Sequence, residues 1–332
     1  MNKKQNYLIK SLNGLAYGFF ASLIVGTILK QAGTYLNLPI LIEWGNIASF
    51  LMGPAIGVGI AFTIEAKGLN LITATIAGAI GAGTIANGTL AIGNPVGAYI
   101  ATIAAVEAVR LIQGKTPVDI LLVPLSAIGV AGLVTMFVAP YVGAFINWTG
   151  ALINTGTTMQ PLIMSIVVAV LMGMALTAPI SSAAIGIMLG LEGIAAGAAL
   201  IGCCAQMIGF AVMSYEDNDI GDVIAIGIGT SMLQFKNIVK HPLIWLPPII
   251  TSAILAPIGI ILFNIQTSAI GSGMGTAGLV GPLSAIGVMG NDKAGMIIVF
   301  TIILPLIVNL FIFKGFRRAN WIKKGDLKLD RL

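Results

Sequence analysis

Long apolar runs, separated by short polar stretches, recur from one end of the chain to the other. Runs of about 18 or more apolar residues with few charges are typical of membrane-spanning helices. They lie at about 12–28, 47–64, 69–90, 96–112 and 118–146, from 161 onwards on both sides of a polar break at 214–219, at 242–263 and at 294–313. The pattern predicts an all-α polytopic membrane protein with about ten transmembrane helices, some of them broken or re-entrant.

Composition strengthens this prediction and excludes a soluble domain. Hydrophobic residues make up 57% of the 332 residues, only 9% are charged, and the mean hydropathy is +1.00. Soluble domains are about 25% charged. The formal charge of +5 comes from residues at helix ends and in the tail, without a basic patch that carries aromatic residues. Nucleic acid is therefore not an expected partner, whereas the lipid bilayer is.

The positive charges predict an orientation in the membrane. With the N-terminus in the cytoplasm and ten spans, four groups of basic residues fall inside, as the positive-inside rule requires. These are Lys67, the pair Arg110 and Lys115, the pair Lys236 and Lys240, and the basic tail 314–332. Both termini are then cytoplasmic.

An internal tandem repeat is predicted within the single transmembrane domain 1–332. Residues 96–117 align without a gap on 221–242, and both segments end in Lys-x-Pro. We interpret this as two like-oriented units of about four helices, 46–146 and 166–264. Chance similarity between Gly- and Ala-rich helices is the alternative. Transporters built from repeats bind their substrate near the midplane, where the repeats meet and helices are broken.

The stretch 266–290 is too rich in glycine for a straight helix. It carries seven glycines and a proline, which favours a re-entrant or broken segment buried in protein.

Polar residues within or at the ends of the apolar runs are the candidate solute ligands, because polar groups in lipid are costly unless they face protein or water. They are Asn94, Thr177, Ser181, Ser182, Glu192, Gln206, Glu216, Asn218, Thr230 and Ser231.

Each candidate also has a purely structural interpretation. Glu192 fits a solvated helix break, and Ser181 or Ser182 fits a helix N-cap. The acidic loop 214–219 could simply lie on the membrane surface. Gln206, Thr230 and Ser231 could form hydrogen bonds between helices.

Other chemistry has little support in the sequence. His241 is the only histidine, so no multi-histidine metal site is expected, and Cys203 and Cys204 read as small packing residues. Glu107 and Arg110 have the spacing of an ion pair within one helix. No phosphate-binding loop, dinucleotide fingerprint or hydrolase motif is present, so we expect no catalytic residue and no cofactor.

Four segments carry a resemblance to a known family. They are Leu-Thr-Ala-Pro-Ile-Ser-Ser-Ala-Ala-Ile (176–185), Gly-Phe-Ala-Val-Met-Ser-Tyr-Glu-Asp-Asn (209–218), Gly-Thr-Ser-Met-Leu-Gln (229–234) and Gly-Met-Gly-Thr-Ala-Gly-Leu-Val-Gly (273–281). Together they resemble the membrane IIC subunits of the bacterial sugar phosphotransferase system, in the branch of the perfringolysin-regulator (PfoR) type. The resemblance covers residues 10–315.

The resemblance implies uptake of a small polar, sugar-like solute across the bacterial cytoplasmic membrane. It also implies a homodimer and a separate IIB-type partner. The chain lacks the Gly-Ile-Thr-Glu signature of glucose-type proteins, and its cysteines lie in an apolar run, where they cannot serve as the phosphocysteine. The alternative is a membrane-embedded sensor that binds a ligand without transporting it and docks a partner on its basic tail.

Overall fold

The computed structural model describes residues 3–86, 89–90, 93–157, 159–178, 180 and 182–329. Helices dominate these residues, which confirms the predicted all-α membrane class. The chain forms two compact units, Met1–Phe145 and Ile146–Leu332.

In its described part, the first unit contains six helices and a short antiparallel pair of strands. The helices are α1 (Lys3–Phe19), α2 (Val25–Leu36), α3 (Pro39–Phe50), α4 (Met52–Thr63), α5 (Leu69–Ala82) and α6 (Pro95–Arg110), and the strands are β1 (Ile85–Ala86) and β2 (Thr89–Leu90). A π-helical turn, Phe20–Ile24, joins α1 to α2. The long helix α7 (Asp119–Thr157) begins in this unit and ends in the second.

Small residues hold the helices of the first unit in direct backbone contact. A Cβ atom on Gly57 would lie 2.1 Å from the carbonyl oxygen of Ala74, and one on Gly78 would lie 2.2 Å from that of Gly53. Only glycine permits α4 and α5 to approach so closely. Such contacts replace the hydrophobic effect as the force that joins helices in lipid.

Charged and hydroxyl side chains connect the ends of these helices. The predicted ion pair within α6 is confirmed, with Arg110 Nη1 2.6 Å from Glu107 Oε1. The Tyr7 hydroxyl donates to the same carboxylate at 2.6 Å. Lys10 donates to Glu65, and this hydrogen bond holds the pKa of that exposed carboxyl below its usual range. Exposed pairs of this kind contribute little to stability.

Ten further helices are present in the described residues of the second unit. They are α8 (Pro161–Thr177), α9 (Ser182–Met188), α10 (Gly193–Ser214), α11 (Ile220–Ile224), α12 (Phe235–Lys240), α13 (Leu246–Phe263), α14 (Ala269–Met274), α15 (Val280–Met289), α16 (Ala294–Ile298) and α17 (Leu304–Arg318). Short π-helical or 3-10 turns extend several of them: Ala225–Gly229, Ser231–Gln234, Pro242–Trp245, Ala277–Leu279, Asn291–Lys293 and Val299–Ile303.

Helix α10 lies at the centre of the second unit. From Ala196 to Met207 every residue is buried. A Cβ on Gly197 would lie 1.9 Å from the carbonyl oxygen of Ile265, and one on Gly202 would lie 2.0 Å from that of Ala169. The backbone of α10 therefore touches both α8 and the chain that follows α13.

Fewer helices qualify as candidate membrane spans than the sequence predicts. Among the described residues, five helices are long and apolar enough to cross a membrane. A sixth is obtained if α3 and α4, which meet at an angle of 54°, form one bent span. The five are Tyr7–Thr34, Asp119–Thr157, Gly193–Ser214, Pro242–Phe263 and Asn291–Arg318. The predicted count of about ten is not confirmed.

One predicted span, 220–240, enters and leaves at the same end of the second unit. Asn218, just before it, hydrogen-bonds to Leu327 and Leu329. Asn237, near its far end, donates to the carbonyl of Lys328 at 3.0 Å. Since both ends of the segment contact the same short stretch of chain, the segment folds back on itself rather than crossing. The prediction that it crosses the membrane is therefore not confirmed.

Two other predictions from the pattern have different outcomes. The glycine-rich stretch 266–290 forms only short, interrupted helices, as its composition predicts. The polar, uncharged stretch 147–160 is mostly helical, because α7 continues to Thr157. Thr149 and Asn154 are only modestly unfavourable in helices. The tandem repeat stays a prediction, and its aligned segments differ: α6 is continuous, whereas 220–240 is interrupted at Thr230.

We expect Gly202→Ala to destabilise the protein strongly, because the new methyl group would collide with the backbone of α8. Overpacking of this kind costs about 1–3 kcal/mol. Gly287→Ala in α15 is the matched control, because a Cβ there meets no atom within 4 Å. Thermal unfolding in detergent measures both. Equal midpoints for the two variants would contradict the close packing of α8 and α10.

Candidate functional site

Two helix breaks of the second unit meet inside the protein. Helix α8 ends at Thr177, and Ala178 is extended (φ −71°, ψ 162°). In the segment 220–240, which folds back on itself and which we call the re-entrant segment, Thr230 is extended (φ −161°, ψ 136°) between a π-helical and a 3-10 turn. Both threonines are buried, with exposures of 0% and 4%. Interrupted backbone within an apolar medium is tolerated only where protein or a water-filled cavity surrounds it.

A cluster of four side chains joins these breaks to α10; we call it the Gln206 cluster. The Thr177 hydroxyl lies 2.8 Å from the Ser231 hydroxyl and donates to Gln206 Oε1 at 3.2 Å. The indole Nε1–H of Trp245 donates to the same oxygen at 3.0 Å. Thr177, Gln206 and Ser231, three of the predicted site residues, are therefore brought together, each with 0% exposure.

Trp245 fixes which way the Gln206 amide points. An indole N–H can only donate, so it must face the amide oxygen and not the nitrogen. The amide nitrogen then points elsewhere, and Gln206 Nε2 is buried with no hydrogen-bond partner among the described residues. A buried donor without a partner costs about 1–3 kcal/mol. The cluster thus presents an unused donor inside the protein.

Gln206 lies well inside α10, one of the candidate membrane spans. Gln206 is thirteen residues from Gly193 and eight from Ser214. At about 1.5 Å per residue, these separations are roughly 20 Å and roughly 12 Å along the helix. For a hydrocarbon core about 30 Å thick, that position is close to the middle.

Gly173 makes room for the Gln206 side chain. A Cβ on Gly173 would lie 2.9 Å from Gln206 Cγ and 2.7 Å from the Gly202 carbonyl oxygen. The close contact between α8 and α10 therefore also shapes the site.

Other predicted residues lie around a second pair of interrupted segments. The Ser182 hydroxyl donates to the Gly273 carbonyl at 2.6 Å, which joins α9 to α14. Glu192 is exposed and precedes α10 as its N-cap residue, although its side chain makes no capping bond. Gly193 pairs with Thr267 in an isolated β-bridge. Glu192 therefore lies at a helix break, the simpler of its two interpretations. Ser181 lies outside the described residues.

Glu216 and Asn218 face the C-terminal part of the chain. Glu216 Oε2 lies 3.3 Å from Arg317 Nη2. The Asn218 amide donates to the Leu327 carbonyl at 2.8 Å and accepts from Leu329 N–H at 2.7 Å. Thr230 Oγ1 accepts from Met232 N–H at 3.1 Å, so it caps the following turn. None of these contacts includes a member of the Gln206 cluster.

Asn94 lies in the first unit beside a cavity of about 180 Å³. Its Oδ1 accepts hydrogen bonds from the N–H groups of Val96 and Gly97 and so caps α6. The other lining residues are mainly Gly, Ala, Val and Ile from α5, α6 and α7, and the hydroxyl of Thr135 donates to its own helix backbone. This cavity offers few polar groups to a solute.

Trp245 and Gly173 were not among the predicted ligands. A signal for Trp245 exists, because an indole N–H in an apolar run needs a partner. Nothing in the local sequence identifies Gln206 as that partner.

Within the described residues, no three His, Cys, Asp or Glu side chains are grouped to hold a metal ion.

A protein-family model described as "Phosphotransferase system, EIIC" matches residues 9–329, almost the whole chain. The chain belongs to the EIIC family of phosphotransferase systems. The resemblance noted from the four segments is confirmed at this level, while its PfoR-type branch stays a prediction. Searches of curated proteins and of solved structures find no match. The family and the apolar helices identify this EIIC protein as a membrane protein with a role in transport.

A double-mutant cycle measures the hydrogen bond that orients the amide in this EIIC protein. We expect Gln206→Leu and Trp245→Phe to show a coupling energy of about 1 kcal/mol in unfolding experiments, because each removes one partner of the same bond. Pairing Gln206→Leu with Trp321→Phe is the control, since the indole of Trp321 packs on Phe316. Additive effects in the first cycle would show that the bond does not form.

Proposed function

We propose that this EIIC protein moves a small polar, sugar-like solute across the bacterial cytoplasmic membrane and binds it at the Gln206 cluster. The observation that carries the proposal is the buried Gln206 Nε2, a donor without a partner among the described residues, beside two hydroxyl groups where two helices are broken. Broken helices near the midplane are the usual place for a transporter's substrate.

The chemistry of the cluster favours a neutral polyhydroxylated molecule. An amide N–H can donate to a hydroxyl oxygen, and a hydroxyl group can both donate and accept. All four side chains are uncharged: one amide, two hydroxyls and one indole. A site built to pair with hydroxyl groups rejects analogues that lack them, because its own polar groups would then stay unpaired.

The remaining predicted ligands have a secondary place in the proposal. Ser182 and the exposed Glu192 lie at the interrupted segments beyond the N-terminal end of α10, where a solute would enter or leave. Ser181 and Asn94 stay predictions. Thr230 shapes the break next to Ser231. We leave Glu216 and Asn218 out of the solute site, since their contacts are with the C-terminal part of the chain.

The proposal extends to the partners and the topology. Phosphorylation of the solute would come from a separate IIB-type protein, and the protein would act as a homodimer with both termini in the cytoplasm. Helix α7 offers a broad apolar surface for lipid or a second copy: Met136, Phe137 and Tyr141 are 72%, 66% and 78% exposed.

The first test is a thermal-shift screen of the purified protein against hexoses, pentoses, hexitols and pentitols. A ligand that binds only the folded state stabilises it by about 2.7 kcal/mol at a hundredfold excess over Kd. We expect at least one member to raise Tm. Its uptake should then be followed in proteoliposomes. Saturable binding without flux would favour the sensor alternative instead.

The variants Gln206→Leu and Ser231→Ala should lower affinity for that solute about tenfold or more. Each removes a side chain that would form a hydrogen bond with a hydroxyl group of the buried solute. Ser252→Ala is the matched control. Ser252 is equally buried in the same unit, but its hydroxyl donates to the Pro248 carbonyl of its own helix at 2.8 Å. Unchanged binding in both site variants, with correct folding, would exclude the Gln206 cluster as the binding site.

A further inference from the structure

Several backbone groups of the C-terminal residues 323–329, which we call the strap, are bound by side chains of the loop 215–219. Asp217 accepts from the N–H groups of Gly325 and Leu327, at 2.9 and 3.3 Å. Asn218 bonds to the carbonyl of Leu327 and to the N–H of Leu329. Side chains of the loop 215–219 thus bind both N–H and carbonyl groups of the strap.

Two amide side chains of the re-entrant segment also bind the backbone of the strap. Gln234 Nε2 donates to the Leu327 carbonyl at 2.8 Å, and Asn237 Nδ2 donates to that of Lys328 at 3.0 Å. A single carbonyl, that of Leu327, therefore accepts from both Asn218 and Gln234. It joins the loop at the start of the re-entrant segment to the turn that contains Ser231.

Apolar packing anchors the same contact. The Leu327 side chain is 0% exposed and Ile322 is 1% exposed. Both belong to a buried cluster with Phe210 and Met213 of α10 and Ile238 of α12. Arg317, whose Nη2 lies 3.7 Å from Asp217 Oδ1, places α17 against the same loop. The strap cannot leave without exposing this cluster.

We infer that the strap is a positioning element for the solute site, an inference that rests on the proposed function. The 3-10 turn Ser231–Gln234 carries the Ser231 hydroxyl at one end and the Gln234 amide at the other. By fixing Gln234 and Asn237, the strap holds Ser231 against Thr177. Asn218, Gln234 and Asn237 are positioning residues. Release of the strap weakens solute binding. Because the tail is predicted to be cytoplasmic, this control acts from the cytoplasmic side.

Hydrogen exchange of the wild-type protein tests the mechanical link without any variant. If the strap and the re-entrant segment open together, the amides of Leu327, Leu329 and 231–240 share one level of protection, as members of a cooperative unit do. Free exchange of Leu327 and Leu329, while 231–240 stays protected, would overturn the inference.

Asn218→Leu tests the consequence for binding. We expect the amides of 231–240 to exchange at least about tenfold faster, while those of α10 stay protected. The Kd for the best sugar of the screen should rise about tenfold, a size common for coupling between sites. Maximal uptake should change less than Kd. Lys324→Ala, an exposed side chain on the strap, should match the wild type. A chain ending at Lys324 replaces Asn218→Leu if that variant does not fold.

The outcomes separate the inference from the proposed function. Faster exchange with an unchanged Kd would overturn the positioning role. If no member of the screen binds the wild type, the proposed function fails, while the exchange data still decide whether the strap controls the re-entrant segment.

Discussion

A helix that stops inside an apolar medium must find hydrogen-bond partners for the groups it frees, and the second unit depends on meeting this requirement. Thr177 and Thr230 mark two such stops, and the Gln206 side chain of α10 reaches the first of them. Trp245 settles the orientation of that amide. Because an unpaired polar group is far more costly in lipid than in water, this small set of bonds decides where the chain can be irregular.

Glycine makes the arrangement possible. The side chain of Gln206 can reach Thr177 only because Gly173 and Gly202 bring the backbones of α8 and α10 into contact. In the first unit the same device joins α4 to α5, where the buried Asn70 amide donates to the Val106 carbonyl of α6 at 3.2 Å and Asn94 caps its own helix. The second unit adds the Gln206 cluster, which joins side chains from two helix breaks. We place the proposed solute site there for that reason.

Composition and apolar run length were enough to predict the membrane class, and the position of polar residues within the runs was enough to select Thr177, Gln206 and Ser231. Hydropathy could not show that 220–240 folds back, because a re-entrant segment can be as apolar as a span. That feature depends on contacts such as Asn218 with Leu327, 109 residues apart, which local sequence does not encode. The pairing of Trp245 with Gln206 is equally non-local. Seven glycines within 266–290, by contrast, act locally, and the interrupted helices there were foreseen.

The central claim is that the Gln206 cluster, buried in this conformation, becomes accessible to water and solute during transport and is not a permanently dry contact between helices. Its most direct test is modification of Ser231→Cys by a water-soluble thiol reagent, in a background where Cys203 and Cys204 are replaced by alanine. The account predicts that the thiol reacts, that the sugar found in the thermal screen slows the reaction, and that Ser252→Cys resists. If Ser231→Cys is as unreactive as Ser252→Cys, with or without sugar, the cluster is dry and the account is contradicted.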